Sequence, residues 1–282
     1  MARGRGMASR AITCLSALFI AAGIAALAYP AASSLLAARE QAAAAGEYAK
    51  AYAGLTDDDR LTEWEAAERY NASLAGDPVR DPFVVGSGYA LPSDYEQVLD
   101  VTGDGTMAVL EIPSIGAYMP IYHGTSEDVL RKGAGHMGQT ALPIGTVGGR
   151  PVITGHRGLP EAELFTRLDE LDYGDTFRIG VLDRNLWYEV CGIEVIEPDE
   201  MEELTPVAGR DLVTLVTCTP YGVNTHRLLV TGERCDAPEH DGPSAGSVAS
   251  DIPWQGYAAG AVVACTIGAV AYVVCGTRKR GR

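Results

Sequence analysis

The apolar residues of this chain of 282 residues are concentrated in two blocks, one near each end. The first block runs from Ala11 to Tyr29 without a charged residue and follows Arg3, Arg5 and Arg10. The second block runs from Trp254 to Cys275 and is followed by a short basic tail. About 20 apolar residues are enough to cross the hydrocarbon core of a bilayer. Each block therefore predicts a membrane span.

The basic residues beside these blocks predict the orientation of the chain in the membrane. Arg278, Lys279 and Arg280 follow the second block, and basic residues next to a span stay on the cytoplasmic side. Both termini are then cytoplasmic, and residues 30–253 lie outside the cell. A cleavable signal peptide is the alternative for the first block, because small residues at Ala26 and Ala28 resemble a cleavage site. After cleavage, the second span would still hold the domain at the membrane.

The periodicity and composition between the two blocks predict an ordered series of segments. We expect an anchor or signal over residues 1–32, an extracellular segment of two helices over 33–75 and a long loop over 76–105. A β-rich domain follows over 106–235, then a linker over 236–253, the second span over 254–276 and a cytoplasmic tail over 277–282. A break between the two helices is predicted in the stretch from Gly46 to Asp59.

From Thr106 onward, short apolar or alternating runs are separated by Gly, Pro and Asp. Many short strands divided by turn residues predict a mainly β fold, either a closed barrel or a sandwich. One short helix is predicted over 161–168. The predicted strands are Met107–Ile112, Tyr118–Ile121, Pro151–Thr154, Thr176–Ile179, Trp187–Ile196, Leu212–Thr217 and Arg227–Gly232.

Charge and cysteine content narrow the possible functions. The chain has a net charge of −15, and seven of its 22 basic residues flank the two blocks, which leaves 15 basic and 37 acidic residues between them. This balance argues against nucleic acid as a partner. The segment also holds an odd number of cysteines, Cys191, Cys218 and Cys235, so at least one is outside any intramolecular disulfide. A bridge between Cys191 and Cys235 stays open but is disfavoured, and the absence of a CxxC pair argues against a zinc or redox cofactor.

Three residues at predicted strand ends could together perform acyl transfer. Cys218 ends one apolar run, Arg227 opens the next run nine residues later, and His156 follows an earlier run. A hairpin between the two later strands would place Arg227 beside Cys218. Taken alone, each residue is more often structural. As a set they offer a thiolate nucleophile, an imidazole that protonates a leaving amine and a guanidinium that holds an oxyanion.

The other histidines are weaker candidates for the imidazole. His136 is the main competitor to His156 and lies in a Gly-rich stretch. His226 adjoins Arg227 but is expected on the opposite face of the strand. His123 and His240 have no supporting sequence context.

The pattern Thr214-Leu215-Val216-Thr217-Cys218, with Arg227 downstream and Thr154-Gly155-His156 upstream, resembles the sortase family. The resemblance implies a closed eight-stranded β-barrel with short helices, and a cysteine transpeptidase that cleaves an LPxTG-like sorting signal between Thr and Gly. It further implies Cys218 as nucleophile, His156 as general acid and base, and Arg227 as the group that stabilises the oxyanion or the substrate. No cofactor or metal is implied.

A second set of features resembles class C sortases, which polymerise pilins. Asp81-Pro82-Phe83 resembles the lid motif of that class, and Gly135-His136 and the second membrane span also resemble it. The resemblance implies pilin sorting signals as substrates and a lysine amine of another pilin subunit as acceptor. Alternatives are a sortase that joins surface proteins to peptidoglycan, a non-catalytic scaffold for pilus assembly, and a cysteine endopeptidase that releases its product to water.

Overall fold

A computed structural model describes residues 2–74 and 93–238 of the chain. The described chain divides into two units, one of residues 2–36 and one of residues 37–74 with 93–238. The predicted second span Trp254–Cys275 and the Asp81-Pro82-Phe83 motif lie outside the described residues. Both therefore stay predictions.

The first unit consists of helix, which belongs to α1 (Ala2–Ala53) and contains Pro30. Within the described chain, the part of α1 from Leu15 to Ala53 is the one helix that is long and apolar enough to cross a membrane. Its most apolar window is not buried by protein, as expected for a helix whose apolar surface faces lipid. This part of α1 supports membrane anchoring of the chain.

In the second unit, α1 ends at Ala53 and α2 (Asp57–Ser73) follows after three residues. The predicted break from Gly46 to Asp59 is therefore too wide, because Gly46 lies inside α1. Thr56 ends the gap as an N-cap: its hydroxyl accepts a hydrogen bond from the Asp59 amide, and the Asp59 carboxylate accepts one from the Thr56 amide. This capping box makes α2 start at a defined residue.

The second unit is built around eight strands that close into a barrel in the order β1-β2-β3-β4-β7-β8-β6-β5. The pairs β2–β3 and β4–β7 are parallel, and the remaining neighbours are antiparallel. The predicted closed barrel is thus confirmed. The strands are β1 (Thr106–Ile112), β2 (Ala117–His123), β3 (Ala134–His136), β4 (Val152–Thr154), β5 (Thr176–Val181), β6 (Arg184–Ile196), β7 (Leu212–Thr219) and β8 (His226–Cys235).

Three short elements differ from the sequence prediction. The helix predicted over 161–168 is wrong, because that stretch forms turns that lead into a 3₁₀ turn at Leu168–Glu170. The Phe165 amide donates to the His156 carbonyl, which folds the chain back on itself there instead of into a helix. The sequence analysis also missed β3 and a single turn of helix, α3 (Glu127–Leu130).

The continuous apolar run of β7 is explained by burial on both faces. Val213 and Leu215 point into the main core of the barrel. Val216, on the alternate face, belongs to a second cluster of seven buried residues that includes Leu229 of β8 and Ile196 of β6. Alternate residues of a strand share a face, so Cys218 lies on the same side of the sheet as Val216. The predicted nucleophile therefore lies on the face of the sheet that carries the second cluster.

Candidate active site

Cys218 and Arg227 are direct cross-strand partners near the loop that joins β7 and β8. Directly opposite residues in an antiparallel pair have their side chains on the same face, about 5 Å apart at Cβ. Both side chains are buried: Cys218 is 8% exposed and Arg227 is 5% exposed. The predicted hairpin is therefore present, and it brings a thiol and a guanidinium together in a sheltered position.

The loop between β7 and β8 orients the Arg227 guanidinium. Nη1 of Arg227 donates to the carbonyl oxygens of Asn224, at 3.3 Å, and His226, at 3.0 Å. Asn224 has a positive φ of 60°, a conformation that Asn adopts more readily than most residues. The same loop exposes Tyr221 and Val223 to solvent beside the site.

His156 reaches the same end of the sheet from β4. Thr154 of β4 pairs in parallel with Val216 of β7, and His156 and Cys218 each lie two residues further along their chains. The Gly155 amide donates to the Val216 carbonyl at 3.1 Å, which extends the pairing beyond the strand. Alternation along the two chains places His156 and Cys218 on the same face.

The segment from Thr154 to His156 is hydrogen-bonded to β7 and packs against an aromatic ring. The Thr217 hydroxyl donates to the Gly155 carbonyl at 2.7 Å. A Cβ on Gly155 would lie 2.7 Å from the ring of Phe165, so only glycine fits at this position without displacing the ring. Gly155 thus allows Phe165 to pack closely against the segment that carries His156.

Two charged residues that the sequence analysis did not single out also contact this region. Oε2 of Glu127, on α3, lies 3.3 Å from Nε2 of His156. Arg157 donates to the Thr219 hydroxyl at 3.1 Å and to the Asp169 carboxylate at 2.5 Å. Ser126 followed by two acidic residues is a recognisable N-cap. Nothing in the sequence, however, relates that cap to a histidine 29 residues away.

The competing histidines have other surroundings. His136 is fully buried, with Nδ1 3.0 Å from the Tyr95 hydroxyl and Nε2 2.8 Å from the Ala141 carbonyl. Burial lowers the pKa of His136 to about 3, so this imidazole stays neutral and structural. The ring nitrogens of His123 contact two backbone carbonyls, and His226 pairs with Glu197 at 3.2 Å.

The other two cysteines of the barrel, Cys191 and Cys235, are free thiols in the described structure. Among the described residues, Cys191 is an exposed thiol and Cys235 is a half-buried thiol, and they form no disulfide with each other. Burial raises the pKa of Cys235. The described residues also include no group of three or more His, Cys, Asp or Glu side chains arranged to hold a metal ion.

Comparisons with known proteins identify the family of this domain. Residues 110–235 match a family model described as the sortase domain. The crystal structure of sortase C-1 from Actinomyces oris is 44% identical, with a TM-score of 0.61, and the match covers 64% of this chain and 99% of that one. Sortase C of Streptococcus pneumoniae is 40% identical, with a TM-score of 0.63, and the match covers 69% of this chain and 98% of that one.

A curated relative, Sortase D of Bacillus subtilis, is 32% identical over 129 residues, which are 45% of this chain and 62% of the relative. The match thus spans less than two thirds of that relative's length.

Proposed function

Because the chain belongs to the sortase family, we propose that it is a membrane-anchored cysteine transpeptidase of class C type, which joins pilin subunits through isopeptide bonds. The proposal rests on the positions of three residues at neighbouring strand ends. Cys218 lies opposite Arg227, and His156 follows β4 on the same face of the sheet. The solved relatives support the subclass: the Streptococcus pneumoniae enzyme is described by its pilin substrate specificity and that of Group B Streptococcus as pilus-related.

In the proposed first half-reaction, the Cys218 thiolate attacks the carbonyl carbon of Thr in an LPxTG-like sorting signal. The negative charge moves to the carbonyl oxygen, and the Arg227 guanidinium stabilises it without being able to lose its own proton. The bond between Thr and Gly then breaks, and the protonated imidazole of His156 gives its proton to the departing Gly amine. A thioester between Thr and Cys218 remains, and His156 is neutral.

In the second half-reaction, a lysine ε-amine of another subunit attacks the thioester. Neutral His156 takes the proton that the amine loses, and the Cys218 thiolate leaves. The product is an isopeptide bond, and the enzyme returns to its starting protonation state. The strongly acidic segment between the two apolar blocks is compatible with an acceptor that carries lysine.

Mass spectrometry of the full-length chain in detergent tests the transpeptidase assignment. With a sorting-signal peptide, the wild-type chain should gain the mass of the acyl group, and Cys218→Ala should abolish this adduct because it removes the proposed nucleophile. Cys191→Ala is the matched control, since Cys191 is an exposed thiol elsewhere on the barrel, and it should keep the adduct. An adduct on Cys218→Ala would refute the assignment of Cys218 as the nucleophile.

The acceptor is tested by adding partners to the acylated chain. A pilin subunit with its acceptor lysine should remove the adduct and appear as a ligated product, whereas a lysine-to-arginine pilin should not. Preferred ligation to a peptidoglycan amine would assign the chain to wall anchoring instead. Release of the peptide with a free Thr carboxylate, even when pilin is present, would indicate an endopeptidase. If the chain formed no adduct at all, the result would favour a scaffold function.

We further propose that Asp81, Pro82 and Phe83 act as a lid over Cys218, on the basis of their resemblance to the class C motif. An aromatic ring over the buried thiol and an aspartate paired with a cationic group such as Arg227 or protonated His156 would limit access to the site. Asp81→Ala or Phe83→Ala should then raise the alkylation rate of Cys218. The exposed Cys191 provides an internal control in the same molecule, and equal alkylation of Cys218 in wild type and variants would contradict the lid.

A further inference from the structure

The Glu127 carboxylate is shared between two partners, one of which is the proposed catalytic imidazole. Its Oε2 lies 3.3 Å from Nε2 of His156, and its Oε1 accepts a hydrogen bond of 2.9 Å from Nε of Arg131. The His156 side chain is 18% exposed, whereas the Glu127 side chain is 59% exposed. The imidazole is therefore sheltered and the carboxylate approaches it from the solvent side.

We infer that Glu127 is a positioning residue, which orients the His156 ring and pairs with the ring when it is protonated. The inference rests on the proposed function, because His156 must carry a proton when the Gly amine leaves. A sortase site of Cys, His and Arg would thus have a fourth member on a separate element.

The element that carries Glu127 is firmly seated on the barrel. The Ser126 hydroxyl caps α3 by accepting from the Val129 amide, and the Leu130 side chain is buried. A Cβ on Gly135 of β3 would lie 2.9 Å from Leu130 Cδ2 and would also meet the Gly124 carbonyl. The missing side chain at Gly135 therefore lets α3 pack directly on β3, which places Glu127 at a defined distance from His156.

The electrostatic setting favours an ionised carboxylate at neutral pH. The hydrogen bond from Arg131 is the largest cause that holds the pKa of Glu127 below its usual range, and the nearby His156 lowers it further. An ionised carboxylate at Nε2 forms an ion pair with the ring when the ring is protonated. Among the described residues, Arg131 binds the same carboxylate, Arg157 follows His156 in the chain, and Cys218 and Arg227 lie on the same face of the sheet.

Ring titration of the full-length chain in detergent tests the inference without relying on turnover. The chain carries ¹³C-labelled histidine, and His156→Gln assigns the His156 signal. Glu127→Gln keeps the size of the side chain but removes its charge, so the midpoint measured for the His156 ring in this variant should lie below the wild-type midpoint, because the ring loses its ion partner. Glu127→Asp should restore part of that shift. Asp128→Asn, one residue along the same helix, should leave the midpoint unchanged.

Steady-state kinetics with a sorting peptide and a lysine acceptor provide the second readout. Glu127→Gln should lower kcat by roughly two- to fivefold, leave KM unchanged and move the alkaline limb of the pH–rate profile to lower pH, because the imidazole loses its proton earlier. Equal titration and pH–rate curves for wild type and Glu127→Gln would overturn the inference, as would an equal shift in Asp128→Asn. If the wild type cleaved no sorting peptide, the proposed function would fail, while the ring titration would still decide the role of Glu127.

Discussion

At the scale of single residues, Thr217 connects two of the three strand ends that form the site. Its hydroxyl donates to the Gly155 carbonyl, one residue before His156, and it directly precedes Cys218 in the chain. The side chain is fully buried. Thr217 therefore fixes the spacing between nucleophile and imidazole through one hydrogen bond, although it takes no part in the chemistry itself.

Replacing Thr217 with Val keeps the shape of the side chain and removes this hydrogen bond. The Gly155 carbonyl is then left unsatisfied, so the free energy of unfolding should fall by about 1–3 kcal/mol. The Thr-Gly-His segment also loses its tether to β7, and kcat/KM should fall by roughly tenfold. Urea unfolding and transpeptidation kinetics on the same preparation measure the two effects.

Thr214→Val is the matched control for Thr217→Val. Thr214 is also a buried threonine of β7, but its hydroxyl accepts a hydrogen bond from Arg150 Nε at the other end of the strand. This variant should lose about 1–3 kcal/mol of stability, because Arg150 loses one of its hydrogen bonds, while kcat/KM stays within about twofold of wild type. Equal losses of activity in both variants would show that Thr217 acts only through stability.

At the scale of elements, the packing of α3 on β3 depends on a single glycine. In Gly135→Ala, the added Cβ would meet the Gly124 carbonyl and the Leu130 side chain. A backbone oxygen cannot move aside cheaply, so α3 must shift or the barrel must distort. The free energy of unfolding should fall by about 1–3 kcal/mol, as in other overpacked sites.

Gly180→Ala serves as the comparison for Gly135→Ala. Gly180 lies in β5, and a Cβ there would have its nearest neighbour at 3.6 Å, which is ordinary contact. Its free energy of unfolding should change by less than about 1 kcal/mol. Urea denaturation of both variants measures the difference, and a Gly135→Ala chain as stable as Gly180→Ala would contradict the close-packing explanation.

The elements also show what the sequence could and could not predict. The runs that became β6, β7 and β8 are long and strongly apolar or alternating, and their pairing follows from turn positions. β3 and α3 have three and four residues, which is too short for any periodicity to emerge. Both are stabilised by tertiary contacts instead, and Glu127 was missed for that reason, whereas Cys218, His156 and Arg227 stand at the ends of recognisable runs.

At the scale of the whole molecule, the charge and the apolar blocks divide the chain into parts with different surroundings. The basic residues near the termini are next to apolar blocks, while all 37 acidic residues lie between those blocks. A family relationship to sortases and an apolar α1 agree with a sortase that is anchored in the membrane. The orientation of both termini stays a prediction from the basic residues.

The barrel is closed, but its neighbouring strands differ greatly in the number of residue pairs that join them. β7 and β8 are joined by eight residue pairs, whereas β3 and β4 are joined by two. Strands that are joined by few residue pairs can separate locally at a lower free energy than global unfolding requires. Opening there would separate α3 and β3 from β4, while β4 stayed paired with β7 and the Cys218–Arg227 pair stayed assembled. A chain warmed toward its melting point would thus lose the contact between Glu127 and His156 first, and turnover would decline while Cys218, Arg227 and His156 remained on one folded sheet.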